Sequence, residues 1–74
     1  MFGLGSSHIY QLYSKACDMR KSFNGLSGLV SNELGRDPLS GEVFIFLNRP
    51  GNLIKLLHWQ PGGFVLYYKR LETG

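Results

Sequence analysis

Six cations stand where a side chain could meet an anion: Arg20, Lys21, Arg49, Lys55, Lys69 and Arg70. Arg20 and Lys21 follow Asp18 at the expected start of a helix, whose free amide groups and positive dipole end attract phosphate. Arg49 stands on a hairpin tip, and the other three lie in the last two expected strands. There Lys55 shares a face with Leu53, Leu57 and Trp59, while Lys69 shares one with Val65 and Tyr67. Cations interleaved with aromatic rings on a sheet bind single strands by stacking and phosphate contact. The same pattern also describes a solvated face on which long aliphatic stems lie over apolar neighbours. The residues alone favour that second reading.

Catalytic chemistry finds little support. His8 and His58 are the available acids or bases, but neither has a nucleophile and an orienting group at motif spacing. Cys17, beside Asp18 at the expected helix start, is a thiol whose pKa a helix end would lower, yet no Gly-rich cradle surrounds it. The five acidic residues are scattered and form no two-metal or glycosidase pair. No metal-ligand spacing or cofactor motif is present, and Gly3-x-Gly5 and Gly62-Gly63 read as ordinary loops.

The elements that must position these groups follow from periodicity and punctuation. Residues 1–7 are Gly- and Ser-rich and read as a lead-in, without the basic and long apolar regions of a signal peptide. His8 to Tyr13 favours a strand, and Ser14 to Cys17 a connection. Met19, Phe23, Leu26, Val30 and Leu34 make one apolar stripe of a helix, with Asp18 as its N-cap and Gly35 just past its end. Gly25 and Gly28 inside it mark either close approach of another backbone or a frayed helix. Strands are expected at Glu42–Asn48, Leu53–Gln60 and Phe64–Leu71, separated by Arg49-Pro50-Gly51-Asn52 and Pro61-Gly62-Gly63.

The expected fold is α+β in the order β-α-β-β-β, an antiparallel four-stranded sheet with one helix packed on one face. That helix leaves the other face to be covered by something else, so Tyr10, Trp59, Phe64, Tyr67 and Tyr68 are candidate partner contacts. A chain of 74 residues with one cysteine has neither disulfide nor metal to staple it, which favours a partner chain or a second copy. The net charge of +3 is a mild basic bias, compatible with nucleic acid and common in ordinary domains. No segment reaches the length of a membrane span, and a lone thiol fits the cytoplasm.

The run Cys17-Asp18-Met19-Arg20-Lys21-Ser22-Phe23-Asn24-Gly25-Leu26 resembles a signature of the small TnpB-type accessory protein, the second open reading frame of insertion-sequence family sixty-six. (The RNA-guided nuclease sharing the TnpB name is a different protein.) Three more blocks agree in order: Gly41 to Phe46, Ile54 to Trp59, and Gly63 to Glu72. The resemblance implies a non-catalytic accessory factor in the transposition of a bacterial insertion sequence. It would bind DNA, the element's separate transposase, or both; the alternative is a pure protein-interaction module docking on the transposase without DNA contact.

Arg20-Lys21 and Lys69-Arg70 match cationic pairs of the family, but no catalytic residue carries over. The chain departs from the family at Ala16-Cys17, often Pro-Thr, at Asn24, often Asp, and at the hairpin, where Arg49 replaces a run of arginines. That last change lowers the expected affinity for DNA at the tip. Family members usually continue past the Leu71-Glu72-x-Gly74 segment, so residues 1–74 are expected to form one domain without the usual C-terminal region.

Overall fold

The computed structural model describes residues 8–72, and the expected lead-in over residues 1–7 lies outside them. Five elements follow in chain order: β1 (Tyr10–Leu12), α1 (Phe23–Asn32), β2 (Val43–Leu47), β3 (Leu53–Gln60) and β4 (Gly63–Arg70). They form an α+β domain with one four-stranded sheet in the order β1-β2-β3-β4.

The sheet is mixed, which corrects the all-antiparallel expectation. β2, β3 and β4 form an antiparallel meander, but β1 runs parallel to β2, with Tyr10 opposite Val43 and Leu12 opposite Ile45. The cause lies in the connection. Short turns at Asn48–Asn52 and Pro61–Gly62 reverse the chain, whereas the route from β1 to β2 carries a helix and returns to its starting end. A crossover of that length is what parallel neighbours require.

α1 is capped four residues later than expected. Its N-cap is Ser22, which makes no side-chain cap bond. Asp18 instead closes a local turn: its carboxylate accepts the backbone N–H of Arg20 at 2.9 Å, and its carbonyl accepts that of Lys21 at 3.1 Å. An aspartate that bonds its own neighbouring backbone competes with helix propagation. At the other end Gly35 takes φ +63°, and the Arg36 amide folds back onto the Val30 carbonyl at 3.1 Å. A left-handed glycine at this place ends the helix as expected.

Alternation along the strands sorts the sheet into two faces. Phe44, Phe46 and Leu57 turn toward α1 and meet Leu26 and Val30, all completely buried, with Tyr13 and Cys17 at the margin. Each such side chain contributes about 1.5–3 kcal/mol by leaving water. Phe64 and Leu66 of β4 pack on the edge of this core. The opposite face carries Tyr10, Leu12, Ile45, Leu47, Ile54, Leu56, Val65, Tyr67 and Lys69, together with the buried Val43 and His58, by the same register. Among the described residues no helix covers that second face.

Candidate nucleic-acid interface

The register brings Arg49, Lys69 and Arg70 to one end of the sheet. Arg70 pairs with Leu53, the first residue of β3, and the Leu71 amide bonds the Asn52 carbonyl at 2.7 Å. Arg49 lies in the turn just before, which is built by Asn48. The Asn48 carbonyl accepts the Gly51 amide at 3.0 Å, and its side-chain oxygen accepts the amides of Asn52 and Leu53, each at 3.0 Å. Gly51 supplies the positive φ of 77° that lets the chain re-enter the ladder. The hydrogen-bonded turn therefore starts at Asn48, one residue earlier than Pro-Gly spacing implies, and it holds the Arg49 side chain out in solvent. β1 ends here too, and a shallow hollow of about 260 Å³ lies between Lys15 and Arg49.

These cations differ in what already neutralises them. Arg20 forms a two-pronged pair with Asp18, at 2.8 Å for its shortest contact, although its side chain remains 91% exposed. The Arg20 hydrogen bonds hold the Asp18 carboxyl down to about 2. Lys15 bonds Glu33 at 3.2 Å, and the Tyr13 hydroxyl donates to the same carboxylate at 3.0 Å. Lys21, Arg49, Lys69 and Arg70 have no acidic partner within ion-pair distance among the described residues, and all four are exposed.

Lys55 is placed differently from the other five. It lies on the α1 side of β3, only 9% exposed, where its ammonium donates to the Lys21 carbonyl at 2.8 Å. The same group sits 5.2 Å from the centre of the Tyr68 ring. Its charge is therefore engaged in joining β3 and β4 to the turn that precedes α1, away from any flat ligand surface.

The aromatic candidates divide between the faces. Tyr10 and Tyr67 lie on the uncovered face, 46% and 38% exposed. Trp59, Phe64 and Tyr68 lie on the α1 side, where Trp59 meets Phe64 edge-on at 5.0 Å and Phe23 stacks on Phe64 at 6.0 Å. They do not form one continuous aromatic platform.

At the far end of the sheet is a polar cluster that sequence reading missed. Glu42, nearly buried, accepts from Arg36 at 2.8 Å, Gln11 at 2.9 Å and Ser40 at 2.9 Å. The Arg36 bond, chiefly, lowers the Glu42 carboxyl below its ordinary range. Arg36, Ser40 and Glu42 lie within seven positions of one another but follow no motif, and only the fold brings in Gln11, 31 residues from Glu42. The cluster ties β1, β2 and the loop after α1 together.

Nothing here gathers a catalytic set. The rings of His8 and His58 meet edge-on at 5.1 Å. Cys17 is buried and its thiol is pushed up by burial, opposite to the activation that a helix start would give. No group of three His, Cys, Asp or Glu side chains suited to a metal occurs among the described residues. No described helix is long and apolar enough to cross a membrane.

Comparison with known proteins gives three findings. A family model described as IS66 Orf2 like protein matches residues 8–74. An uncharacterized protein, y4jC, of Sinorhizobium fredii is 35% identical over 57 residues, covering 77% of this chain and 49% of that one. A second from the same organism, y4hO, is 41% identical over 58 residues, covering 77% of this chain and 50% of that one. The matched stretch thus spans about half the length of these relatives. No solved structure matches.

Proposed function

The chain belongs to the IS66 Orf2-like family of insertion-sequence accessory proteins, and from that premise we propose that it assists transposition by binding DNA through its cationic sheet end. The observation behind this reading is that Arg49, Lys69 and Arg70 share one end of the sheet beside the β2–β3 turn, Lys69 on the face opposite α1 and Arg70 on the α1 side, with no ion pair among the described residues. Lys21 adds a fourth such cation on the α1 side, next to Lys55, whose partner Tyr68 is two residues from Arg70. Asp18 is already engaged by Arg20 and Glu33 by Lys15, which leaves the exposed Glu72 as the acid next to Arg70 in the chain. The net field there is positive and attracts phosphate without selecting bases. Strand breakage and joining would fall to the element's separate transposase, which is the second expected partner.

Fluorescence anisotropy with a labelled DNA duplex at two salt concentrations tests this. Affinity that falls steeply with salt, and is lost when Arg49, Lys69 and Arg70 are all alanine, supports it. Absent or salt-insensitive binding counts against it.

A second reading has its own observation, the apolar face on which Tyr10 and Leu12 remain 46% and 57% exposed. Such a face suits docking on the transposase without DNA. Co-purification with the transposase that survives nuclease treatment and fails with Tyr10→Ala plus Tyr67→Ala favours this alternative.

A further inference from the structure

β4 is the last strand of the sheet, and no described residue pairs with its outer side. The hairpin register determines which backbone groups face that side. Gln60 and Gly63 flank the two-residue turn, and the Leu71 amide bonds the Asn52 carbonyl at 2.7 Å. Bonded and unbonded pairs alternate along an antiparallel ladder. The odd-numbered residues of β4 therefore bond β3. Phe64, Leu66, Tyr68 and Arg70 direct their N–H and C=O groups outward. Natural edges of this length are usually blunted by a proline, a bulge or charges along the strand. β4 has no proline, its register with β3 is unbroken, and its cations are confined to the last two positions.

We propose that β4 pairs antiparallel with β4 of a second copy, about a two-fold axis at Tyr67. Backbone geometry selects this register. Outward-facing residues must oppose outward-facing residues, which centres the pairing near Leu66, Tyr67 or Tyr68. Centring at Leu66 puts Arg70 across from Gly62 in the turn; centring at Tyr68 puts Phe64 across from Glu72, past the strand end. Only the Tyr67 centre uses all four outward residues of both strands, pairing Phe64 with Arg70 and Leu66 with Tyr68. It forms about eight inter-strand hydrogen bonds, one for each outward N–H.

Charge favours the same arrangement. Lys69 faces the second copy's Val65, and Arg70 faces its Phe64, where a guanidinium gains from an aromatic ring. Parallel in-register pairing, or sliding the axis toward Lys69, would set cation against cation, which is destabilising. The interface is isologous and closes, so it yields a dimer with one continuous eight-stranded sheet. The inference does not rest on DNA binding, since it uses only the β4 backbone and the placement of its side chains.

Sedimentation equilibrium across a wide concentration range, with the whole chain, provides the first test. The expected result is a concentration-dependent rise to twice the single-chain mass; a single-chain mass throughout overturns the proposal. Register is tested by oxidation of Tyr67→Cys. Facing residues of an unbonded antiparallel pair have Cα atoms about 4.5 Å apart, within disulfide range. Tyr67→Cys should give a covalent dimer, whereas Lys69→Cys and the parent, whose Cys17 is buried, should not. Cross-linking at Lys69→Cys and not at Tyr67→Cys overturns the register. Tyr68→Pro removes one outward N–H and leaves the β3 ladder intact. A Tyr68→Pro protein with parental circular dichroism should be monomeric, and its undiminished dimerisation would likewise overturn the proposal.

Discussion

The Lys55 ammonium donates a 2.8 Å hydrogen bond to the Lys21 carbonyl, fastening the third strand to the turn from which the helix starts. A mostly buried cation bonded to a backbone carbonyl supports the fold rather than a ligand. Lys55→Met keeps the stem and removes the donor, leaving that carbonyl without its partner. Urea unfolding should show a loss of about 1–3 kcal/mol. Unchanged stability would mean that the bond contributes nothing.

Arg49 makes the opposite prediction. It is exposed, without an acidic partner among the described residues, and held on a turn whose bonds come from Asn48. Arg49→Ala should leave unfolding unchanged within about 0.5 kcal/mol. It should also make the dependence of log affinity for DNA on log salt shallower by about 0.9, the loss of one phosphate contact. An unaltered slope would remove Arg49 from the interface.

The contrast between these two residues shows where sequence reading stops. Alternation correctly put Lys55 on one face with Leu53, Leu57 and Trp59, but β3 is apolar on both faces, as Ile54 and Leu56 show. Which face meets the helix is then undecided until the sheet is assembled. The meander from β2 to β4 was readable because Pro50-Gly51 and Gly62-Gly63 punctuate continuous β-prone runs. β1 is expected to be antiparallel and runs parallel, because its long helical connection returns the chain to the same end of the sheet. Arg20 was placed in a helical turn because Asp18 resembles a cap; the competing local bond to the Arg20 amide is visible only in three dimensions. Of the candidate cations, the three at the sheet end come from two segments, and register alone unites them.

Asp18 should show its pairing as a pH effect. The Arg20 hydrogen bonds hold its carboxyl at about 2, below its ordinary 3.8. A depressed carboxyl stabilises the fold above the unfolded value, and the contribution is lost as pH falls from about 3.8 toward about 2. Asp18→Asn should therefore melt below the parent at neutral pH, and the two melting curves should converge near pH 2. A gap that persists unchanged at the acidic limit would assign the effect to something other than ionisation.

The helical glycines separate in a second stability test. A Cβ at Gly28 would meet nothing within 4 Å, while one at Gly25 would lie 3.2 Å from the Lys21 Cβ. Neither marks the approach of another backbone. Gly28→Ala should raise unfolding stability by about 0.5–1 kcal/mol, as expected for a helix interior. Gly25→Ala should gain less, because Lys21 must give way. Equal gains would show that the Lys21 contact costs nothing.

The short parallel strand also orders the molecule in time. β2, β3 and β4 join through tight turns, so their ladder closes over short stretches of chain. β1 reaches Val43 and Ile45 only after the whole helical excursion, through the Val43 amide to the Ile9 carbonyl at 2.8 Å and the Tyr13 amide to the Ile45 carbonyl at 2.9 Å. Distant contacts of this kind are slow to form. β1 should accordingly be the last strand to dock and the first to peel away, with amides that exchange with solvent deuterium sooner than those of β3. Each such opening would bare the flank of β2 that β1 covers, adding a transient edge to the one β1 itself presents.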